Sequence, residues 1–287
     1  MSLLWPARRW DVALLLTALL VGQVPADETN APALPADSDA TAAAAVPTDP
    51  HEHSPLLAWR DARYVFSAPF RWGEEDWLYF AGAAALVGGT AAGLDRPTRD
   101  YVRDHRSAAL DRGALTFQRF GAEYSFGVLG AFWLAGWATD SPRALDTAYD
   151  GAVASLLASG VITPILKRGV GRARPNADKG AYSFSPFGSD ASFPSGHTTQ
   201  AFAVAVDIAD HYDSLWVQIP AYCTAVLVGL ARIEQNSHYA SDVVAGAIIG
   251  TTVSKAVTHF NRGGQSGLAI VPVVDSDGRG LAVSLDF

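Results

Sequence analysis

The chain reads KRGVGRARP at residues 167–175, PSGH at 194–197 and RIEQNSHYASD at 232–242. In order, these stretches supply a lysine and an arginine seven residues apart, a Ser-Gly-His turn, and an arginine followed by a histidine and an aspartate four residues apart. All three contain residue types that commonly bind phosphate. Together they predict that the fold brings three distant segments to one phosphate site.

Phosphoryl transfer places charge on the equatorial oxygens, and catalysis consists mainly of positioning and stabilising that charge. Lys167, Arg174 and Arg232 suit this role, because arginine offers a planar fork of donors and lysine a compact charge. A turn at Ser195 and Gly196 that opens a helix also directs backbone N–H groups at an anion. We expect these five residues to bind phosphate.

His238 and Asp242 would share one face of a helix. A carboxylate that holds one ring nitrogen protonated leaves the other nitrogen free to attack phosphorus, and His197 then remains to protonate the departing oxygen. Taken singly, the motifs have ordinary explanations as a helix-surface pair, a capping turn and a solvated basic loop. Their joint occurrence in this order favours catalysis.

With these motifs the chain resembles the superfamily of type 2 phosphatidic acid phosphatases (PAP2) and vanadium haloperoxidases. The pattern of that superfamily is K-x6-R-P, P-S-G-H and S-R-x5-H-x3-D, and only Ala231 departs from it, in place of serine. Loss of that hydroxyl would cost about 1 kcal/mol of phosphate binding. The resemblance covers Trp77 to His259, and it implies that His238 becomes phosphorylated and that His197 is the general acid.

Composition limits the other functions. With 287 residues, 49% hydrophobic and 17% charged, the chain can bury one large core. The net charge of −8 argues against a nucleic-acid partner. Cys223 is the only cysteine, which excludes an intrachain disulfide. The motif positions supply one carboxylate, too few for a two-metal phosphatase centre, so we expect neither metal nor cofactor.

The sequence predicts four segments. Residues 1–26 are a signal peptide, with Arg8 and Arg9 before an apolar run, although an uncleaved anchor stays open. Residues 27–55 are a disordered Ala/Pro-rich linker. Residues 56–262 form the PAP2-like helical phosphatase domain, and 263–287 a C-terminal β-hairpin with one apolar face, expected to pack on the bundle.

The predicted fold is all-α, a six-helix PAP2-like bundle with that short hairpin. Apolar segments indicate helices at about 76–94, 121–138, 147–166, 197–210, 214–232 and 239–258. The motifs fall at the ends of the last four helices. The site is therefore expected at one end of the bundle.

A membrane span needs about 20 mostly apolar residues, and charges at membrane depth are costly. Asp207 and Asp210 interrupt the fourth predicted helix, while Asp242 and Lys255 bound a short apolar run in the sixth. These charges favour an exported enzyme of the cell envelope that is soluble or peripheral, slightly ahead of an integral membrane protein.

The predicted function is hydrolysis of phosphomonoesters or pyrophosphates through a phosphohistidine, without metal. The partner is a phosphorylated lipid or small molecule, and the oligomeric state stays open. Lipid phosphates suit the apolar helices, whereas small soluble esters suit a periplasmic acid phosphatase. A vanadate-dependent haloperoxidase and a non-catalytic envelope protein with a relict site are the remaining alternatives.

Overall fold

The structure, a computed structural model, describes residues 53–262 with their side chains and the backbone of residues 267–275 and 278–286. The predicted signal peptide lies outside the described residues, and so does the predicted linker up to residue 52.

Nine helices account for most of residues 53–262. They are α1 (Pro55–Ser67), α2 (Glu74–Gly93), α3 (Asp95–Asp104), α4 (Ala108–Phe117), α5 (Glu123–Thr139), α6 (Pro142–Val170), α7 (Gly196–His211), α8 (Leu215–Glu234) and α9 (Ala240–Asn261). A π-helical segment, Leu156–Ile162, interrupts α6. Single 3-10 turns follow α1 and α4 and occupy Pro175–Ala177.

The predicted six-helix fold with a packed hairpin is wrong. The domain is entirely helical and has nine helices within the described residues, of which α1, α3 and α4 are additional to the prediction. These helices are short, each buries only one or two side chains, and none contains the long apolar run on which the prediction relied. After the domain, β1 (Gly267–Asp275) and β2 (Gly278–Asp286) form an antiparallel two-stranded sheet. Among the described residues, these two strands pair with each other alone.

Helix α7 lies at the centre of the bundle and packs against α6, α8 and α9. Its most extensive contact is with α9, where Gly246 and Gly250 form a small-x3-small pair. A Cβ atom at Gly246 would lie 2.6 Å from the carbonyl oxygen of Ser195, and one at Gly250 would lie 2.4 Å from that of Thr199. The absence of side chains there brings the beginning of α9 against the beginning of α7.

Three helices in the described part of the chain, α6, α8 and α9, are long and apolar enough to cross a membrane. A fourth candidate is the pair α2 and α3, bent by 46° at the break between them. Large apolar side chains also face outward, including Trp133 and Trp137 on α5 and Trp216 on α8. A soluble protein rarely exposes so much apolar surface.

The predicted preference for a soluble or peripheral enzyme is therefore wrong, and the spans point to an integral membrane protein. The charges that favoured solubility are buried or paired. Asp207 and Asp242 are fully buried inside the bundle, and Lys255 pairs with Asp210 at 2.6 Å. Charges that face partners inside a bundle are compatible with a membrane, and a sequence alone does not show which way they face.

Candidate active site

The first motif begins on the last turn of α6. Gly171 ends this helix with φ of +58°, and its N–H donates to the carbonyl oxygen of Lys167 at 2.9 Å. A Cβ atom at this position would lie 1.8 Å from the carbonyl oxygen of Ser185, so only glycine fits the turn. The Lys167 ammonium donates to the carbonyl oxygen of Ala191 at 2.8 Å, which ties the end of α6 to the loop before the second motif.

The second motif opens α7. Ser195 is the N-cap, and its backbone N–H donates to the carbonyl oxygen of Asp242 at 2.9 Å. Its hydroxyl is fully buried and accepts a hydrogen bond from Thr198 Oγ1 at 2.8 Å. A Cβ atom on Gly196 would lie 3.9 Å from Lys167 Cε, so the start of α7 lies beside the lysine. The first N–H groups of a helix have no intrahelical acceptor, so such an end is suited to an anion.

The third motif joins α8 to α9. Arg232 lies on the last turn of α8, and His238 precedes α9 instead of belonging to it, contrary to the expected helical pair. Asp242 is in the first turn of α9, and its Oδ2 atom still lies 3.6 Å from His238 Nδ1. His238 Nδ1 has no hydrogen-bond partner among the described residues. The carboxylate and the imidazole are therefore adjacent, at slightly more than hydrogen-bonding distance.

The cations of the three motifs converge. Lys167 and Arg232 are each electrostatic neighbours of Arg174 and of His197. Arg232 is buried and donates to Gln118 and, at 2.7 Å, to Gln235, whereas its Nε has no partner among the described residues. Arg174 is exposed to solvent. Three cations thus share one site with neutral amide neighbours, an arrangement suited to an oxyanion.

Both histidines of the site are neutral at pH 7. Burial lowers the pKa of His238 to about 4, with further lowering by Lys167 and Arg232 against the opposing effect of Asp242. Burial also lowers the pKa of His197 to about 4, and Arg232 and His238 act in the same direction. An unprotonated His238 is the form able to act as a nucleophile.

A buried ion-pair network holds Asp242, and sequence reasoning missed it. Arg172 Nη1 donates to Asp242 Oδ1 at 2.7 Å, and Arg172 Nη2 donates to Asp95 Oδ2 at 2.6 Å. Ser192 Oγ and the backbone N–H of Tyr239 donate to Asp242 Oδ2 at 2.5 and 2.9 Å. All four side-chain partners are at least nine-tenths buried. The only signal in the sequence was the third basic residue of KRGVGRARP, which resembles a solvated loop residue.

The network also joins α3 to the site. Asp95 is the first residue of α3, and it accepts from the N–H and the hydroxyl of Ser241 at 2.9 and 2.6 Å. Arg172 donates to the same hydroxyl at 2.7 Å. The beginning of α9, which carries Asp242, is therefore fixed from two sides.

The site is poor in metal ligands. Asp242 is its one motif carboxylate, and both of its oxygens already accept hydrogen bonds. In residues 53–262, the one group of three side chains placed to hold an ion is Asp150, Asp207 and His211, outside the three motifs.

Known proteins resemble the segment that carries these motifs. The sequence model of the PAP2 superfamily matches residues 151–264, the segment that contains all three motifs. Over that segment the chain resembles the PAP2 superfamily. It is 37% identical over 120 residues to lipid A 1-phosphatase of Rhizobium etli, covering 39% of this chain and 51% of the relative. It is 34% identical over 137 residues to lipid phosphate phosphatase 2 of Arabidopsis thaliana, covering 36% and 47%.

A solved structure is also similar to part of this chain. The transmembrane PAP2-type phosphatidylglycerolphosphate phosphatase of Bacillus subtilis superposes with a TM-score of 0.48 at 21% identity, over 63% of this chain and 95% of that one. The chain spans about half the length of the first curated relatives it matches.

Proposed function

We propose that the chain is a PAP2 phosphatase that hydrolyses phosphomonoesters through a phosphohistidine. The observation that carries the proposal is the convergence of Lys167, Arg174 and Arg232 on two imidazoles and a single fixed carboxylate. Such a site offers positive charge to the phosphate oxygens and a nucleophile to the phosphorus.

In the first step, His238 Nε2 attacks phosphorus, and the bond from phosphorus to the leaving oxygen breaks. Asp242 faces Nδ1, the other ring nitrogen, so it orients the ring and stabilises the positive charge that develops on it. Protonated His197 gives its proton to the leaving oxygen. The cations and the N–H groups at the start of α7 hold the equatorial oxygens.

In the second step, His197 accepts a proton from water as that water attacks phosphorus. The N–P bond breaks, inorganic phosphate leaves, and both histidines return to their starting states. The protonation of His197 that the first step needs is favoured by the bound substrate, because phosphate oxygens bring negative charge beside an imidazole whose pKa burial and Arg232 had lowered.

Lipid phosphates are the substrate class that we propose. The relatives named above are phosphatases of lipid A and of lipid phosphates. Lys167, Arg232 and Asp242 lie at the ends of α6, α8 and α9, the three candidate spans. A site at the ends of membrane spans lies at the level of lipid headgroups, where a phosphate is anchored by its own acyl chains.

A substrate panel tests this class. We expect the purified full chain, in detergent micelles, to hydrolyse lipid A and phosphatidic acid with kcat/KM at least about tenfold above that for p-nitrophenyl phosphate, because lipid anchoring contributes binding energy. Released inorganic phosphate is the readout. Equal or higher kcat/KM for the soluble ester would overturn the lipid assignment while leaving the phosphatase assignment intact.

A chelation assay tests the chemistry. Activity is expected to stay within about twofold after brief treatment with EDTA, because the reaction needs only the cations of the protein. Vanadate is expected to inhibit in competition with substrate, since it resembles phosphate in charge and shape. Loss of activity with EDTA, and its recovery with a divalent metal, would contradict the mechanism. Bromide oxidation by the vanadate-treated protein would instead indicate a haloperoxidase.

A further inference from the structure

A second buried polar cluster lies at the end of the bundle opposite the phosphate site. It consists of Asp150 on α6 and Asp207 and His211 on α7. One ligand atom from each of these side chains lies within 4.8 Å of the other two. His211 follows His197 by 14 residues on the same helix, which places the cluster about 21 Å from the catalytic end. The proposed reaction uses none of these residues.

The hydrogen bonds of His211 fix how its ring is presented. Nδ1 lies 2.9 Å from the carbonyl oxygen of Asp207, an acceptor, so this nitrogen carries a proton. Nε2 lies 3.4 Å from Asp150 Oδ2. In the neutral ring, Nε2 has a lone pair that faces this carboxylate oxygen, and two electron-rich atoms approach in this way only with a cation or a proton between them.

Unpartnered carboxylates provide an independent indication of a ligand. Asp207 is fully buried, and neither of its oxygens accepts a hydrogen bond, although Oδ1 lies 3.3 Å from His211 Nδ1. Asp61 on α1 is also fully buried, and both of its oxygens lack hydrogen-bond partners among the described residues. Asp61 faces Asp150 and Asn261. Buried carboxylates without partners are costly, so each of them needs a proton or a cation beside it.

The neighbouring side chains Arg60 and Lys255 do not supply the positive charge that would balance these carboxylates. The three carboxylates of Asp61, Asp150 and Asp207 exceed the one imidazole by two charges even when His211 is protonated. Arg60 is a weak electrostatic neighbour of Asp61, and Lys255 is bound to Asp210 at 2.6 Å. Asn261 donates to Asp150 Oδ1 at 2.7 Å and so orients the carboxylate without neutralising it.

We propose that Asp150, Asp207 and His211 bind a divalent transition-metal ion. His211 Nε2 and one oxygen from each aspartate are the ligands, a mixed nitrogen and oxygen set that suits Zn²⁺ or Mn²⁺. The proton on Nδ1, held by the carbonyl oxygen of Asp207, and the amide of Asn261 on Asp150 are the outer hydrogen bonds that orient such ligands. With a neutral His211, the two aspartate ligands balance the charge of a divalent ion.

The ion is structural. The ligands are at most 9% exposed, so the ion is enclosed during folding and does not exchange readily. It joins α6 to α7, with α1 and α9 beside it through Asp61 and Asn261. These include the helices that carry Lys167, His197 and Asp242 at their other ends.

The test is the metal content of the full chain, purified in detergent without a metal-affinity step and analysed by mass spectrometry. Wild-type protein is expected to hold about one equivalent of Zn²⁺ or Mn²⁺, and Asp207→Asn and His211→Gln less than about a tenth of that. Asp210→Asn is the matched control, because this neighbouring carboxylate pairs with Lys255 and belongs to no ligand set. It is expected to keep the metal.

Thermal unfolding supplies a readout that does not depend on the variants. Prolonged chelation at elevated temperature is expected to lower the Tm of wild-type protein by several degrees, and added Zn²⁺ to restore it. Wild-type protein without metal whose Tm does not respond to Zn²⁺ or Mn²⁺ would overturn the proposal. An Asp207→Asn variant that holds metal as the wild type does would also overturn it. A metal-free Asp207→Asn variant that is as stable as metal-free wild type or more so would agree with loss of a ligand.

Discussion

His238→Ala is expected to reduce turnover of a phosphomonoester by at least about 10³-fold while leaving the fold intact, because the proposed covalent intermediate forms on this imidazole. His238 is buried, but its side chain has no hydrogen-bond partner at Nδ1, so truncation removes little stabilising contact. The measurement is steady-state release of phosphate in detergent micelles, with Tm recorded for each variant.

The matched control is His259→Ala, which removes an exposed histidine from α9. It should retain full activity. A second readout identifies the intermediate directly: wild-type protein quenched in alkali during turnover of labelled substrate should carry acid-labile, base-stable phosphate, and His238→Ala should carry none. Residual turnover within about tenfold of wild type in His238→Ala would exclude this residue as the nucleophile.

The position of the site at one end of the bundle followed from the sequence, because the motifs lie at helix ends. The six helices predicted by apolar periodicity correspond to α2 and α5 to α9, displaced by a few residues at their ends. Helix α3 was not predicted because its face toward the bundle is made by Asp95 and Val102, a charged residue and a single apolar one. Periodicity detects helices that bury apolar stripes, and this one buries an ion pair.

The buried network around Asp242 was beyond sequence reasoning for a related reason. Arg172 and Asp95 are 77 residues apart, and each belongs to a charged segment that resembles a solvated loop or a surface helix. In the folded protein these two residues are buried and form an ion pair. Their burial is visible only in the three-dimensional contacts. The membrane prediction failed in the same way, because a sequence shows that Asp207 is present and not that it faces the interior.

Asp242→Asn is expected to lower kcat by about 10²-fold or more with KM changed by less than about threefold, because this carboxylate touches the imidazole and not the phosphate. Asp242 Oδ2 lies 3.6 Å from His238 Nδ1, and catalytic hydrogen bonds commonly shorten as the substrate binds. An amide at this position cannot stabilise the imidazolium that forms as His238 attacks phosphorus, and its N–H₂ group can favour the wrong tautomer.

A difficulty is that Asp242 also neutralises Arg172, so Asp242→Asn could lower kcat merely by loosening the site. Asp95→Asn separates the two effects, because Asp95 is the other carboxylate on Arg172, equally buried, and makes no contact with His238. Each variant leaves the buried guanidinium of Arg172 with a single carboxylate, so each should lower Tm. Asp95→Asn is expected to lower kcat by less than about tenfold. Equal losses of kcat in the two variants would mean that Asp242 acts on His238 only through the rigidity of the network, and the catalytic role of the pair would have to be abandoned.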